Sequence, residues 1–328
     1  MEFIEFTNEQ SRQFIDVTQV FSAWRDANAR FEHSYKAAMW WAKRPNGEYL
    51  LATANGKDRS LGPRSPETER LKATSDAARD AIKERKAKTM ARLKEMARVN
   101  KALRLNRVPT MAARILREID GAGLLGVNLH VVGTNALYAY EAKAAVLLSS
   151  ALVATGDADL LWDARRGLRM AASEAKAEGV IGLLRKADKS FARLGPRGFR
   201  AINNDGYMVD LICPVEDARL QRKEKIGDAD DELYGVEIFG LEWLINAPKI
   251  EEIVIGEDGL PLMMSCVDPR VYAMHKMWVS KQPDRKRSQR DRDAVQARLV
   301  AGLCRDYLTL RFDAPELSAV PIALRKGF

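Results

Sequence analysis

The chain has 328 residues, 46% of them hydrophobic, and a net charge of +8. That is enough apolar content for a sizeable core and enough length for two domains, or for one with an appendage. No run of eighteen apolar residues occurs, and the stretch MEFIEFTNEQ has neither a basic leader nor a long apolar segment, so the expectations are no membrane span and a cytoplasmic location. Three cysteines (Cys213, Cys266, Cys304) and three histidines (His33, His130, His275) are widely spaced. That spacing argues against a disulfide framework and against a histidine-based zinc site.

From Asn8 to Lys43 apolar residues recur at helical spacing (Phe14, Val17, Phe21, Trp24, Phe31, Met39), which predicts one long or two broken amphipathic helices closing at Trp40 and Trp41. Tyr49 to Ala52 and Lys57 to Leu61 flank Asn55-Gly56, a pair that tolerates positive φ and so predicts a β-hairpin over about 47–62. Ser65-Pro66-Glu67 reads as a helix start, with Pro at the first position and acids in the first turn. The helix it opens, about 66–105, has only a thin apolar stripe and is expected to be a basic arm. Residues 57–107 hold sixteen Lys or Arg against seven Asp or Glu, which accounts for the excess charge of the whole chain. Such a segment attracts phosphate backbones, RNA or DNA, although a charged helix face is also ordinary solvated surface.

After Gly121 and Gly123 the pattern changes to short strands and helices. Val127 to Val132 alternates as a strand, Gly133-Thr134-Asn135 turns it into a helix over 136–143, and Gly198–Asn203 with Tyr207–Cys213 forms a second hairpin about Asp205-Gly206. Strands are expected over 234–244, 252–255 and 262–267, then helices over 269–280 and 290–307. No internal repeat is present.

Within this part, ATGDADLLWD holds Asp157 and Asp159 one residue apart. Strand period places both carboxylates on one face and Ala158 on the other. A wet turn before a buried strand explains two acids equally well, until a partner for them is found. Asp210 lies in the otherwise apolar run Tyr-Met-Val-Asp-Leu-Ile-Cys, where a buried acid is costly without compensation. Together the three carboxylates suit divalent cations, which take hard oxygen ligands. Val131-Val132-Gly133-Thr134 adds a strand, a glycine turn and a helix N-terminus, whose free N–H groups accept an anion.

This ordered set of Gly133-Thr134, Asp157-Ala-Asp159 and Asp210 resembles the nucleotidyltransferase fold of the DNA polymerase β-like superfamily, over about residues 120–215. The runs GTNALYAYE and SLGPRSPETE look like a bacterial branch of that fold, and Pro269–Lys276 with the basic residues after it is similar to helices beside the site of abortive-infection-type nucleotidyltransferases. Thr134 stands where Ser is more usual. The resemblance implies an α+β class: a nucleotidyltransferase-type mixed sheet with flanking helices (121–267), a helical N-terminal region carrying a β-hairpin (1–120) and a helical C-terminal part (268–328). It implies Mg²⁺ or Mn²⁺ on Asp157, Asp159 and Asp210, and NTP phosphates, ATP among them, at Gly133, Thr134, Asn135 and Lys276. The activity implied is transfer of a nucleoside monophosphate to an acceptor hydroxyl on RNA, protein or a small molecule. A nucleotide-sensing or nucleic-acid-binding protein with little chemistry is the alternative. Lys276 reads equally as a surface lysine, and His275 as a packed histidine. The sequence leaves the oligomeric state open.

Overall fold

The computed structural model describes the chain apart from residues 1–2, 36–37, 55–56, 154, 164–172, 215–224, 239–240 and 284. Asn55-Gly56 therefore lies outside the described residues, although Ala54 pairs with Lys57 on either side of it. Two compact units form: one of Arg12–Leu103 with Gly259–Pro261, the other of Met1–Ser11, Arg104–Asp258 and Leu262–Phe328. No helix among the described residues is long and apolar enough to cross a membrane.

In the first unit, α1 (Asn8–Arg30) runs into a single π turn, Phe31–Tyr35. The helical reading of residues 39–43 does not hold. Met39–Arg44 is a strand, β1, pairing antiparallel with β2 (Gly47–Ala54), which pairs in turn with β3 (Lys57–Pro63). Two adjacent tryptophans favour a pleated surface, and cross-strand pairing with Leu50 and Leu51 outweighs the helical spacing of the apolar residues. Helix α2 (Pro66–Ala102) starts where expected: the Ser65 side chain accepts from Thr68 N, the Thr68 hydroxyl accepts from Ser65 N, and Pro66 occupies the first turn. Its 37 residues span about 55 Å, and it buries Leu93, Met96, Ala97 and Asn100 only near its end. Fully buried Asn100 ties this end down, accepting from Gln13 (2.8 Å) and donating to the Gly259 carbonyl (2.8 Å).

The second unit is built on one mixed sheet. In chain order its strands are β4 (Leu129–Val132), β5 (Asp157–Trp162), β6 (Ala192–Arg193), β7 (Arg200–Ile202), β8 (Met208–Pro214), β9 (Val236–Ile238), β10 (Lys249–Ile255) and β11 (Pro261–Val267). Across the sheet they run β10-β11-β4-β5-β8-β7-β6, with β9 on the downstream half of the β8 edge that β7 occupies upstream. Strands β5 and β8 are parallel, whereas β4 and β7 are antiparallel to their neighbours β5 and β8. Residues 242–244, the end of the strand expected over 234–244, instead open a short helix, α6 (Glu242–Asn246), whose last carbonyls are capped by the Lys249 ammonium. Helices α3 (Thr110–Gly121), α4 (Leu137–Ala144), α5 (Ser173–Ala187), α7 (Pro269–Val279) and α8 (Arg287–Asp306) flank the sheet; α7 packs along α8, α3 on α5, and α4 against β10. The core between them holds Leu129, Val131, Leu160, Trp162, Val209 and Leu211, all almost fully buried. This is the α+β architecture the sequence predicts.

Two buried charges hold this frame rather than the site. Glu141, at the end of GTNALYAYE, takes two hydrogen bonds from Arg107 and one from Leu148 N. Asp268 caps α7 through Arg270 N and pairs with the buried Arg270 guanidinium. Charges so enclosed are tolerable only because each is matched in hydrogen bonds as well as in sign.

Candidate active site

Strand β5 enters the core with its first turn of alternation intact: Asp157 and Asp159 are half-buried, while Ala158 and Leu160 are buried. The two acids therefore share a face. The third lands on the adjacent strand, since Asp210 of β8 pairs directly with Asp159. On the other side of β5, Val132 pairs with Asp159, and beyond β8 Arg200 of β7 pairs with Asp210. Directly paired residues project to the same face, so Val132, Asp159, Asp210 and Arg200 form one row across four strands.

Gly133 closes the row at the β4 end. Its φ is +65°, and a Cβ built on it would sit 2.1 Å from Asp159 Oδ2. The turn thus requires glycine twice over, for backbone conformation and for room beneath the carboxylate. Gly133–Ala136 forms a 3-10 turn leading into α4. The Thr134 hydroxyl accepts a long hydrogen bond from Gln296 (3.4 Å), and buried Asn135 donates to the Asp157 carbonyl (2.7 Å), fixing the start of β5 against the glycine turn. The Asp157 carboxylate accepts from the Thr155 hydroxyl.

The electrostatics follow from this crowding. The Asp159 carboxyl is pushed up to about 6, first by burial and then by Asp157; Asp210 adds to the rise, and Lys276 and Arg285 oppose it. Lys276 is itself buried, its ammonium 2.7 Å from Asp293 Oδ1, while Arg285 Nε lies 2.8 Å from Asp293 Oδ2. Burial raises the Asp293 carboxyl, but the two cations outweigh that and hold it below its ordinary range. The structure thus gives Lys276 a defined partner at the buried face of α7. His275 packs between Trp243 and Trp278, with ring centroids at 5.4 and 6.1 Å, and burial, reinforced by Lys276, depresses it to about 3. It is neutral packing material at physiological pH.

Arg200 is the residue that sequence reading missed. Its Nε and Nη2 donate to the two oxygens of Asp210, each at 2.6 Å. The signal was in the second hairpin: pairing about Asp205 sets Met208 opposite Ile202, and two residues further Asp210 falls opposite Arg200. Among the described residues, no three His, Cys, Asp or Glu side chains are gathered around one point as a metal cage requires. The donor chemistry nevertheless fits a hard divalent cation. Asp157 and Asp159 share a face, Asp210 is one strand away, and the Asp159 carboxyl is raised by burial first and by the neighbouring Asp157 next. What stands apart from the fit is Asp210, whose oxygens are engaged by arginine. A cavity of about 450 Å³, lined in part by His130, Asp163, Asn246 and Lys249, opens at the opposite, C-terminal end of β5 and shares no residue with the acidic row. All three cysteines are buried thiols outside any disulfide.

A glycine turn at a helix start, with paired carboxylates on one central strand and a third on the next, is the arrangement that the resemblance to nucleotidyltransferases implies. Comparison with known families agrees: the sequence model described as nucleotidyltransferase matches residues 110–321. The chain belongs to that nucleotidyltransferase family. No curated protein and no solved structure matches it.

Proposed function

We propose that the protein transfers a nucleoside monophosphate from an NTP to an acceptor hydroxyl. The acceptor oxygen bonds to the α-phosphorus, the bond from that phosphorus to the β-bridging oxygen breaks, and pyrophosphate leaves with the displaced electron pair. The observation that carries this reading is the register of Asp159 with Asp210, which brings a third acid to the face of Asp157 beside the Gly133 turn. A magnesium or manganese ion held by Asp157, Asp159 and Asp210 would supply Lewis-acid charge at the α-phosphate. Gly133 and Thr134 offer backbone N–H groups and a hydroxyl to the terminal phosphates, Asn135 fixes Asp157, and Asp210, once Arg200 lets go of its oxygens, would take the acceptor proton. Lys276 and Arg285, held by Asp293, lend positive potential to the triphosphate. Incubation with each labelled NTP, Mg²⁺ or Mn²⁺, and separate RNA, protein and small-molecule fractions tests this. Label should move to one fraction with the wild type and to none with Asp157→Asn or Asp159→Asn; equal transfer by either variant overturns the assignment.

The second reading, a nucleic-acid-binding protein on this fold, has its own support. Along α2 the side chains of Arg85, Lys88, Arg92, Lys94, Arg98 and Lys101 are exposed, and the acids among them, Glu84 and Glu95, are paired with Lys88 and Arg92. A polyanion binding there would release counterions, so its affinity would fall steeply with salt. RNA or DNA binding that persists in EDTA with no transferred label favours this reading over the first. Steep salt dependence combined with label on RNA makes the arm the acceptor's holding surface.

A further inference from the structure

The row across the sheet ends in a cation that the acids' chemistry does not call for. Arg200 grips both oxygens of Asp210 at 2.6 Å, the two-pronged geometry in which a guanidinium holds a carboxylate most firmly. The acid's side chain is 12% exposed and the arginine's 35%, so the guanidinium closes the solvent side of a carboxylate otherwise enclosed by the sheet. A divalent cation held by Asp210 would need oxygens that Arg200 now holds.

We propose that Arg200 occupies the charge position a divalent cation would take on Asp210, and that it makes metal binding conditional on an incoming phosphate. The inference rests on the reading of Asp157, Asp159 and Asp210 as metal ligands. A bare cation arriving at Asp210 displaces the guanidinium, leaves it without its acid, and meets its repulsion at short range. When the cation arrives with a phosphorylated substrate, the displaced guanidinium has a new anion to pair with. Its place in the row says which. Arg200 lies three strand spacings from Val132, about 14 Å, on the far side of Asp210 from the glycine turn. The released arginine therefore faces the acceptor side rather than the terminal phosphates of the NTP. A phosphate next to the accepting hydroxyl, as in a nucleic-acid backbone, matches the planar fork that Arg200 offers.

The test is Mn²⁺ binding to the full chain without any turnover, followed by the loss of the free-ion electron paramagnetic resonance signal and by thermal melting. The wild type binds Mn²⁺ weakly without substrate, and Arg200→Gln binds it about tenfold more tightly, a coupling of ordinary size for two ligands competing for one group. Arg200→Lys, whose point charge cannot hold both oxygens, falls between, and it carries the test if the glutamine variant does not fold. Adding Asp210→Asn to Arg200→Gln removes the gain. Mn²⁺ raises the melting temperature of Arg200→Gln more than that of the wild type, because it replaces a missing counter-charge. A short oligonucleotide added to the wild type tightens Mn²⁺ binding, whereas it leaves Arg200→Gln unchanged. If Arg200→Gln binds Mn²⁺ no more tightly than the wild type while Asp159→Asn still weakens binding, the role of Arg200 is overturned and the acidic site stands. If Asp157→Asn, Asp159→Asn and Asp210→Asn all bind Mn²⁺ as the wild type does, the acidic site itself is wrong and this inference goes with it.

Discussion

Gly133 lies directly under the Asp159 carboxylate: a methyl group on that glycine would stand 2.1 Å from Asp159 Oδ2, at a backbone φ of +65°. The glycine turn and the acidic pair are thus one piece of architecture, since the strand that carries the acid can pass only over a residue without a side chain. Gly133→Ala is expected to destabilise the fold by about 1–2 kcal/mol from the left-handed backbone alone, with the overlap added to that. Asp159→Ala removes the overlap but not the backbone cost. Melting temperatures of the two single variants and the double variant should therefore show a favourable coupling of about 1–3 kcal/mol. Strictly additive effects would mean that the carboxylate is not what demands the glycine.

Asp159 is a candidate for a site in which function and stability conflict. Burial and Asp157 raise its carboxyl to about 6, so at pH 7 the folded chain holds a charge that it disfavours relative to the unfolded chain. The sign follows: a raised carboxyl costs nothing below about pH 4, costs stability increasingly as pH climbs from about 4 to 6, and the loss is complete above that. Asp159→Asn keeps the shape and removes the charge. It should raise stability at pH 7 by up to about 3 kcal/mol, two pH units at about 1.4 kcal/mol each, with roughly 2–4 °C in melting temperature for each kcal/mol, while nucleotidyl transfer disappears. At pH 4 the two proteins should melt alike, and a destabilised Asp159→Asn at pH 7 would contradict the balance of charges described for the row.

The acids were legible in the sequence because strand periodicity is local: Asp157 and Asp159 needed only the alternation with Ala158, and a hairpin about Asp205-Gly206 fixed the strand of Asp210. Their convergence was not local. That β5 and β8 are neighbours, in the register that sets Asp159 beside Asp210, depends on a crossover of some forty-five residues that no periodicity specifies. The ion pairs were hidden for the same reason. Arg107 with Glu141, and Lys276 with Asp293, join different elements, 34 and 17 residues apart, and a charged residue looks alike in sequence whether it faces water or a partner. Trp40-Trp41 shows the opposite failure, where a local signal was present but ambiguous: apolar residues at helical spacing continued across residues that cross-strand pairing draws into a sheet.

Asp293 holds two cations and has the most to lose. Its side chain is 3% exposed, and both its oxygens are used, by Lys276 and by Arg285. Asp293→Ala leaves the Lys276 ammonium buried without its anion, a change expected to cost about 3–5 kcal/mol. The Lys276→Met, Asp293→Leu pair of changes removes both charges and should recover much of that loss. Urea unfolding of the two proteins measures the difference. Equal stability of the single and double variants would show that Lys276 finds another acceptor. NTP binding separates packing from function: if the cation pair supplies potential to the triphosphate, the stable double variant still binds NTP more weakly.

His275 contributes to the loss of stability in acid. Its ring lies against Trp243 and Trp278, and the charges around it are Lys276, Arg285 and Asp293, of which the cations disfavour its protonation and the anion favours it. Burial decides the balance and holds the ring at about 3, whereas in the unfolded chain it protonates near its ordinary value of about 6.5. Between those values the unfolded state binds a proton that the folded state refuses. The contribution of neutral His275 is therefore whole above about pH 6.5 and is lost as pH falls towards 3, at up to about 1.4 kcal/mol per pH unit. Asp293 remains ionised through most of this window, because its two cations hold it low. Replacing the ring with an apolar one, as in His275→Phe, keeps the aromatic contacts and removes the proton. Urea unfolding of both proteins at pH 7, 6, 5 and 4 should show the variant losing stability more slowly below pH 6, with the gap widening at each step. Parallel curves would mean that the ring takes up its proton in the folded state as readily as in the unfolded one, and that the aromatic pair does not exclude the charge.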